Sequence, residues 1–135
     1  MLDTNVLVSA IFWRGNEAKI MELVESGSLV GYTSSAIIDE LRRVLRYPRF
    51  DLGEGEVKAI VGYFLTVFRV VEPRVTVTAV RDDPADNRVL ECALEARADY
   101  VVSGDEHLVG IAEYRGVRIV RAGALLESLE RGRQS

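Results

Sequence analysis

The chain has 135 residues, 48% of them hydrophobic and 28% charged, and its formal net charge is −4. This length suits one domain that buries roughly two-thirds of its unfolded surface, so we predict a single domain over residues 1–135 and exclude two. The negative charge argues against a protein that binds nucleic acid through a general basic field, but it leaves local contacts open.

Strand-like and helix-like segments alternate along the chain, which predicts an α/β fold with a central parallel sheet of about five strands and helices on both faces. Apolar residues at three- and four-residue spacing mark the helices, and short apolar runs mark the strands. The predicted strands are 1–3, 29–33, 69–72, 99–103 and 117–120, the predicted helices are 4–12, 17–26, 34 or 35 to about 48, 54–68, 84–98 and 124–129, and 74–81 is β-rich but ambiguous.

The longest apolar region, residues 57–71, contains a lysine, a glycine and an arginine and falls short of the ~18 uninterrupted residues that a membrane span needs. No charged and apolar leader is recognisable at the start of the chain. The single cysteine, Cys92, has no second cysteine to pair with in the chain. Together these features favour a cytoplasmic protein without a membrane partner.

Two acidic residues stand where predicted strands end. Asp3 follows Met1 and Leu2, and Asp105 follows an apolar run through Ser103 and a glycine. In open α/β sheets the ligand crevice lies just outside the carboxyl ends of the strands, so both positions suggest function. Asp105 could equally cap a short helix through residue 109, whereas Asp3 has fewer structural explanations.

Glu40 and Asp39 are neighbours on the third predicted helix, and helical geometry distinguishes them. At 100° per residue, Glu40 falls roughly 100° from the centre of the apolar face near Leu41, and Asp39 falls about 160° away. Glu40 therefore borders the buried face and is the better candidate ligand. The alternative is that Glu40 pairs with Arg43 on a solvated flank.

Asp86 shares a helix face with Leu90, Ala93 and Leu94, the side that is expected to pack inward. A carboxylate there needs a partner. The alternative is structural: with Asp83 as the helix cap, Asp86 lies in the first turn, where free N–H groups and the helix dipole favour an acid. The same dipole would keep the carboxylate ionised, as a cation site requires.

Electrostatics predicts a divalent cation among these acids. Two carboxylates ~4 Å apart repel by roughly 4 kcal/mol at an effective dielectric of 20, so a tight cluster takes up protons or binds a cation. Oxygen ligands favour Mg²⁺ or Mn²⁺ over zinc, since no cluster of cysteines or histidines is present. The single histidine, His107, is interpreted as a polar surface residue or a neighbour of the ligands.

Four ordered motifs resemble those of the PIN-domain nucleases over nearly the whole chain. They are L-D-T-N-V-L-V-S-A at the start, the inward Glu40, D-D-P-A-D-N-R-V-L-E-C-A in the middle and V-V-S-G-D-E-H-L near the end. The chain looks most similar to the VapC-like ribonucleases, the toxin components of toxin-antitoxin pairs. One departure is that only Met1 and Leu2 precede the first aspartate, so the first strand is short and the position of Asp3 is less firm.

The resemblance implies cleavage of single-stranded RNA by metal-activated water. It also implies a homodimer and a small antitoxin protein as partner. The acidic quartet that holds one or two Mg²⁺ or Mn²⁺ ions would be Asp3, Glu40, Asp86 and Asp105, with Thr4, Asn5, Asn87 and Ser103 orienting it. Possible RNA contacts are Arg14, Arg42, Arg43 and Arg46, with Trp13 and Arg49 beside them.

Three other readings compete with a nuclease. A phosphatase with Asp3 as nucleophile would need a second acid two positions on, where the chain has Asn5. A phospho-accepting receiver domain needs a lysine near its last strands, and the only lysines are Lys19 and Lys58. A catalytically silent PIN-like domain that binds protein or RNA remains, and the short first strand is its best support.

Overall fold

The computed structural model describes residues 1–80 and 83–134, with helices and strands alternating in an α/β arrangement. The seven α-helices of these residues are α1 (Thr4–Phe12), α2 (Asn16–Glu25), α3 (Ser35–Leu45), α4 (Glu54–Val67), α5 (Pro84–Ala96), α6 (Glu106–Ile111) and α7 (Ala122–Gln134), and a 3-10 turn covers Pro48–Phe50. The strands are β1 (Tyr32–Thr33), β2 (Arg69–Val70), β3 (Tyr100–Val102), β4 (Glu113–Tyr114) and β5 (Val117–Val120).

The strands of the described residues form two small sheets, so a single parallel sheet of about five strands is not what this chain shows. β1 and β2 pair in parallel. In the second sheet β5 lies between β3, which it pairs in parallel, and β4, which it pairs in antiparallel. β4 was not predicted, and the predicted strands at 29–33 and 69–72 shorten to two residues each. Most strand lengths were overestimated because pairing, and not apolar content alone, sets them.

The first predicted strand is reduced to one bridge, in which Leu2 pairs in parallel with Val102 of β3. The bridge is nevertheless well bonded: the N–H of Val102 donates to the carbonyl of Met1 at 2.8 Å, and the N–H of Asp3 donates to the carbonyl of Val102 at 3.1 Å. Asp3 therefore has a fixed backbone position at the carboxyl edge of the sheet, beside Ser103, which directly follows β3.

The core lies between the sheets and the inward faces of the helices. The apolar face predicted for α3 is confirmed, since Ile37, Ile38, Leu41, Val44 and Leu45 are all buried. Phe64 of α4 is completely buried and contacts the rings of Tyr63 and Phe68, with centroid separations of 5.3 Å and 5.9 Å. α3 packs against α4, and the buried apolar face of α3 sets the direction of the flank that carries Glu40.

The ambiguous region 74–81 contains no strand as far as residue 80, and its last residue, Arg81, lies outside the described residues. Side chains of α5 bind this segment instead. Glu91 accepts a hydrogen bond from the N–H of Val77 at 2.8 Å, and Asn87 pairs with both backbone groups of Val80. In the part of the chain that the structure covers, no helix has the length and apolar content to cross a membrane.

Candidate metal centre

Asp3 directly precedes α1 and lies at the N-terminus of that helix, where it faces the site. Its Oδ1 accepts a hydrogen bond from the N–H of Val6 at 3.0 Å, which makes Asp3 the cap of the helix. Its Oδ2 accepts a hydrogen bond from the hydroxyl of Ser103. Asp3 is buried, and this burial raises the pKa of its carboxyl group, while the bonds from Ser103 and Val6 lower it. The nearby charge of Asp105 raises this pKa further.

Asp105 caps α6, as one of the two interpretations of the sequence proposed. Its Oδ1 accepts hydrogen bonds from the N–H of His107 at 2.8 Å and of Leu108 at 3.3 Å. The hydroxyl of Ser103 accepts a hydrogen bond from the N–H of Asp105 at 3.0 Å. Ser103 therefore connects Asp3 to Asp105. Asp105 caps a helix and also remains part of the site.

Asp83 belongs to the acidic cluster. This role of Asp83 was not predicted from the sequence, where the residue was assigned only as a helix cap. Asp83 does cap α5, accepting from the N–H of Ala85 at 3.0 Å. Carboxylate oxygens of Asp83, Asp86 and Asp105 also lie within 4.8 Å of one another. The three-residue spacing from Asp83 to Asp86, which puts both on one side of a helix start, is the signal that could have revealed it.

Asp86 is the most perturbed acid of the cluster. It is buried, and its Oδ2 has no hydrogen-bond partner among the described residues. Burial, followed by the charges of Asp105, Asp83 and Asp3, raises the pKa of Asp86 from 3.8 to about 7. A buried carboxylate oxygen without a partner is costly, so this atom needs a proton or a cation.

Glu40 borders the cluster from α3. It faces inward, as expected for a candidate ligand, and it also pairs with Arg43, as the alternative interpretation predicted. Its side chain is 26% exposed against 73% for Asp39, which confirms that Glu40 faces inward. It also lies 3.8 Å from Arg43. Burial raises the pKa of Glu40, Arg43 lowers it, and the charges of Asp83 and Asp3 raise it. Glu40 is thus close enough to interact with the cluster electrostatically.

The other residues proposed for the site divide into those near the acids and those engaged elsewhere. Thr4 is buried beside Asp3, whereas Asn5 is exposed and its N–H donates to the carboxylate of Asp3. Asn87 differs from the expectation, because its amide oxygen and nitrogen bind Val80 at 2.9 Å and 2.7 Å. His107 is exposed, and its proximity to Asp86 lowers the pKa of that acid.

Several of the arginines proposed for RNA contacts have acidic partners on the protein. Arg42 pairs with Asp39 at 3.0 Å, and Arg46 forms two bonds to Glu54 at 3.0 Å and 3.1 Å. Arg43 additionally donates to the hydroxyl of Tyr47 at 3.3 Å. These contacts are exposed and weak, so they compete only modestly with a phosphate. Arg14 is exposed beside Trp13.

The arrangement fits a divalent cation. Charges on carboxylate oxygens within 4.8 Å of one another repel by about 3 kcal/mol or more at an effective dielectric of 20, and the unpartnered Oδ2 of Asp86 supplies a free ligand atom. The donors near it are carboxylate oxygens, which suit Mg²⁺ or Mn²⁺. Asp83, Asp86 and Asp105 could bind the ion, with Asp3 beside them.

The raised pKa of Asp86 predicts how pH affects the metal-free protein. Between about pH 4 and 7 the folded state keeps a proton on Asp86 that the unfolded state has released, so rising pH costs stability. In EDTA, we expect the Tm of Asp86→Asn to rise relative to the Tm of the wild type as the pH increases through this window. Above the window we expect the difference in Tm to stay constant. Calorimetry at a series of pH values measures this difference. Parallel Tm curves would contradict it.

Comparison with known proteins agrees with this geometry. A sequence profile described as PIN domain matches residues 1–107, a region that contains every acid of the site. The chain is also 29% identical over 117 residues to a protein of Methanocaldococcus jannaschii described as uncharacterized, and the match covers 84% of this chain and 74% of that protein. Members of the family are generally metal-dependent nucleases, and the cluster of acids is the feature that this chemistry requires. The chain belongs to the PIN domain family.

Proposed function

We propose that the protein is an endoribonuclease that cleaves single-stranded RNA with Mg²⁺ or Mn²⁺. The observation that carries this proposal is the convergence of Asp83, Asp86 and Asp105 within 4.8 Å, with one buried oxygen of Asp86 left without a partner. Such a group binds a hard cation readily, and hydrolysis of a phosphodiester is the reaction that acid-bound Mg²⁺ or Mn²⁺ commonly serves.

The residues of the chain would share the work in distinct ways. Asp86 and Asp105 would bind the cation together with Asp83 and Asp3, and Ser103 orients Asp3 through its hydroxyl. When bound, the ion makes hydroxide available near neutral pH and neutralises charge that develops on the phosphate. Glu40, whose pKa is raised by partial burial, is suited to accept a proton from the attacking water.

The reaction is a hydrolysis that needs no side-chain nucleophile. The water oxygen forms a bond to phosphorus, the bond from phosphorus to the oxygen of the neighbouring nucleotide breaks, and that oxygen gains a proton. Asn5 stands where a phosphatase that forms a phospho-aspartate would carry its second acid. Direct attack by water is therefore the mechanism that the residues support.

We extend the proposal to the biological setting that the motifs suggest. Similarity to the VapC-like ribonucleases supports a toxin that forms a homodimer in the cytoplasm and is silenced by a small antitoxin protein. In this similarity Asp3 and Asp86 correspond to the residues most expected to bind the ion directly. An antitoxin that lays a segment across the acids would block both the cation and the RNA.

A catalytically silent binding domain is the alternative, and it depends on a loosely held Asp3. The structure gives that idea little support, because Asp3 is bonded through its backbone to Val102 and through its carboxylate to Val6 and Ser103. The short first strand therefore does not leave Asp3 free to move. We retain the silent domain as the second candidate only for the case in which the purified protein cleaves no RNA.

Incubation of the purified protein with labelled RNA tests the proposal. We expect single-stranded RNA to be cut in Mg²⁺ or Mn²⁺, and excess EDTA to stop the reaction until the metal is restored. A double-stranded RNA of the same sequence provides the substrate control and is expected to be cut far more slowly. Equal cleavage with and without EDTA would exclude the metal mechanism, and no cleavage in either metal would favour the silent domain.

A further inference from the structure

A groove with aromatic walls runs along the exposed face of α1, away from the metal centre. Asn5, Val8, Ser9 and Phe12 line it from α1, where spacings of three and four residues bring side chains to one side of a helix, and Trp13 lines it just after the helix ends. The groove has a volume of about 540 Å³, enough for a group of the size of a nucleobase. Because Asp3 caps the same helix, the groove begins beside the acids.

Rings and one guanidinium group form the far wall of the groove. Phe12 stacks on Phe50 with a centroid distance of 4.9 Å and an interplanar angle of 17°. Arg49 lies over Phe50, with its guanidinium carbon 4.8 Å from the ring centroid. Trp13 meets the edge of Phe12 and is 60% exposed. A side chain that is so apolar and so exposed, beside a stacked pair, offers an open face to a flat partner.

The charge of the groove contrasts with the charge of the protein. The chain carries a net charge of −4, and the metal centre is strongly acidic. Among the described residues that line the groove, Arg49 is the one charged side chain, and no acid accompanies it. A partner that combines flat aromatic groups with negative charge matches this surface, and single-stranded RNA has both.

We propose that this groove stacks an unpaired base of the RNA substrate on Trp13, while Arg49 contacts an adjacent phosphate. The inference rests on the proposed nuclease function and adds a substrate subsite to it. α1 is nine residues long, so the groove extends about 13 Å from the acids at 1.5 Å per residue. At about 3.4 Å per stacked nucleotide, that distance is a few nucleotides from the bond that is cut.

A helix of a partner protein is the competing occupant, and the lining of the groove favours RNA. A helix in a groove buries a continuous apolar stripe. Here the half nearest the acids combines the polar Asn5 and Ser9 with the buried Val8, so the apolar surface is interrupted, and only the far half is aromatic. Polar groups that can bind a base edge or a ribose, followed by rings, suit a nucleotide better than an apolar helix.

Trp13 is the only tryptophan, so its fluorescence reports on the groove directly. The experiment uses the full chain with Asp86→Asn to prevent cleavage, and two probes of equal length, an oligoadenylate and an abasic ribose-phosphate chain. We expect the oligoadenylate to change the emission of Trp13 and to bind more tightly than the abasic chain. Equal binding and equal emission changes with both probes would overturn the subsite.

Substitutions separate stacking from charge. Because variants at position 13 contain no tryptophan, their binding is measured by the fluorescence anisotropy of a dye-labelled oligoadenylate. Trp13→Ala is expected to weaken this binding about 5- to 150-fold, the range for loss of one base stack, and Trp13→Phe to restore most of it. A plot of the logarithm of the binding constant against the logarithm of the salt concentration has a slope that counts the phosphate contacts. Arg49→Ala is expected to reduce the magnitude of this slope by about one. Leu65→Ala, an exposed apolar residue outside the groove, is the matched control and is expected to change neither.

The outcomes distinguish this inference from the nuclease proposal. If the wild type cuts RNA and Trp13→Ala binds oligoadenylate as tightly as its parent, the subsite is wrong and the nuclease stands. If the wild type cuts no RNA, but binding still depends on Trp13 and on the bases, the nuclease proposal fails and the groove remains a site for single-stranded RNA.

Discussion

Asp86→Asn is expected to abolish RNA cleavage and to stabilise the metal-free protein at neutral pH. Asn keeps the shape of the side chain but removes the charge that the cation needs, so we expect activity to fall by at least about 100-fold, the upper range for residues that only support a ligand. In EDTA the variant lacks both the burial cost and the repulsion that raise the pKa of Asp86 to about 7, so its Tm is expected to rise.

Two measurements and one control make this test decisive. Titration calorimetry with Mn²⁺ reports the cation affinity, and circular dichroism reports the fold. Asp99→Asn is the matched control, since Asp99 is exposed and lies just before β3, at the opposite end of the strand from Ser103. If Asp86→Asn bound Mn²⁺ and cut RNA as the wild type does, Asp86 would not be a ligand.

Phe64→Ala is expected to destabilise the fold by about 3–5 kcal/mol, the range for removal of a large buried aromatic ring. Phe64 is completely buried on the inward side of α4, so removing its ring leaves a cavity in the core. Since domains of this kind are stable by roughly 5–15 kcal/mol, the loss is a large share of the total. Urea unfolding measures it as a lower midpoint with little change in slope.

The neighbouring residue provides the comparison for Phe64. Leu65 is 41% exposed on the same helix, and Leu65→Ala is expected to change stability by no more than about 0.5 kcal/mol. The contrast separates loss of packing from a general effect of alanine in α4. A change below about 1 kcal/mol for Phe64→Ala would show that the ring is not tightly packed in the core.

Local patterns in the sequence predicted the starts of α1 to α5 within one residue and one orientation correctly, whereas α7 has 13 residues in place of the six that were predicted. Pro84 after a capping aspartate gave the start of α5, and the 100° step correctly separated the inward Glu40 from the exposed Asp39. These features succeed because a helix is a local structure, in which the cap and the spacing act within one or two turns. The end of α5 was also nearly right, although Arg97 closes it with a φ of 53°.

Features that depend on distant contacts were not predictable in the same way. Strand β4 was missed because its pairing with β5 depends on a two-residue turn at Arg115 and Gly116, with φ values of 47° and 89°. This geometry usually carries asparagine or aspartate first, so the turn signal is weak. Asn87 was expected at the acids, but it binds Val80, and the path of that loop could not be derived from local propensity.

Asp83 shows how one assignment can hide another. The sequence correctly predicts that Asp83 caps a helix. No second role was predicted, because capping already explained an aspartate at this position. In the structure the carboxylate that caps α5 also lies within 4.8 Å of two other acids. A residue with a sound structural role can therefore still belong to a site, and its three-residue spacing from Asp86 at the start of α5 would have indicated it.

Three acids of the site, Asp3, Asp83 and Asp105, each start a helix as well as facing the cluster. Natural selection for a folded domain would therefore preserve these three even in descendants that no longer need catalysis. Asp86 and Glu40 cap no helix, and their structural roles are weaker: Asp86 lies in the first turn of α5, and Glu40 pairs with Arg43 at 3.8 Å. Along an evolutionary lineage that abandons the reaction, these two acids would disappear first, and the helix-starting aspartates would persist as a relic of the lost chemistry.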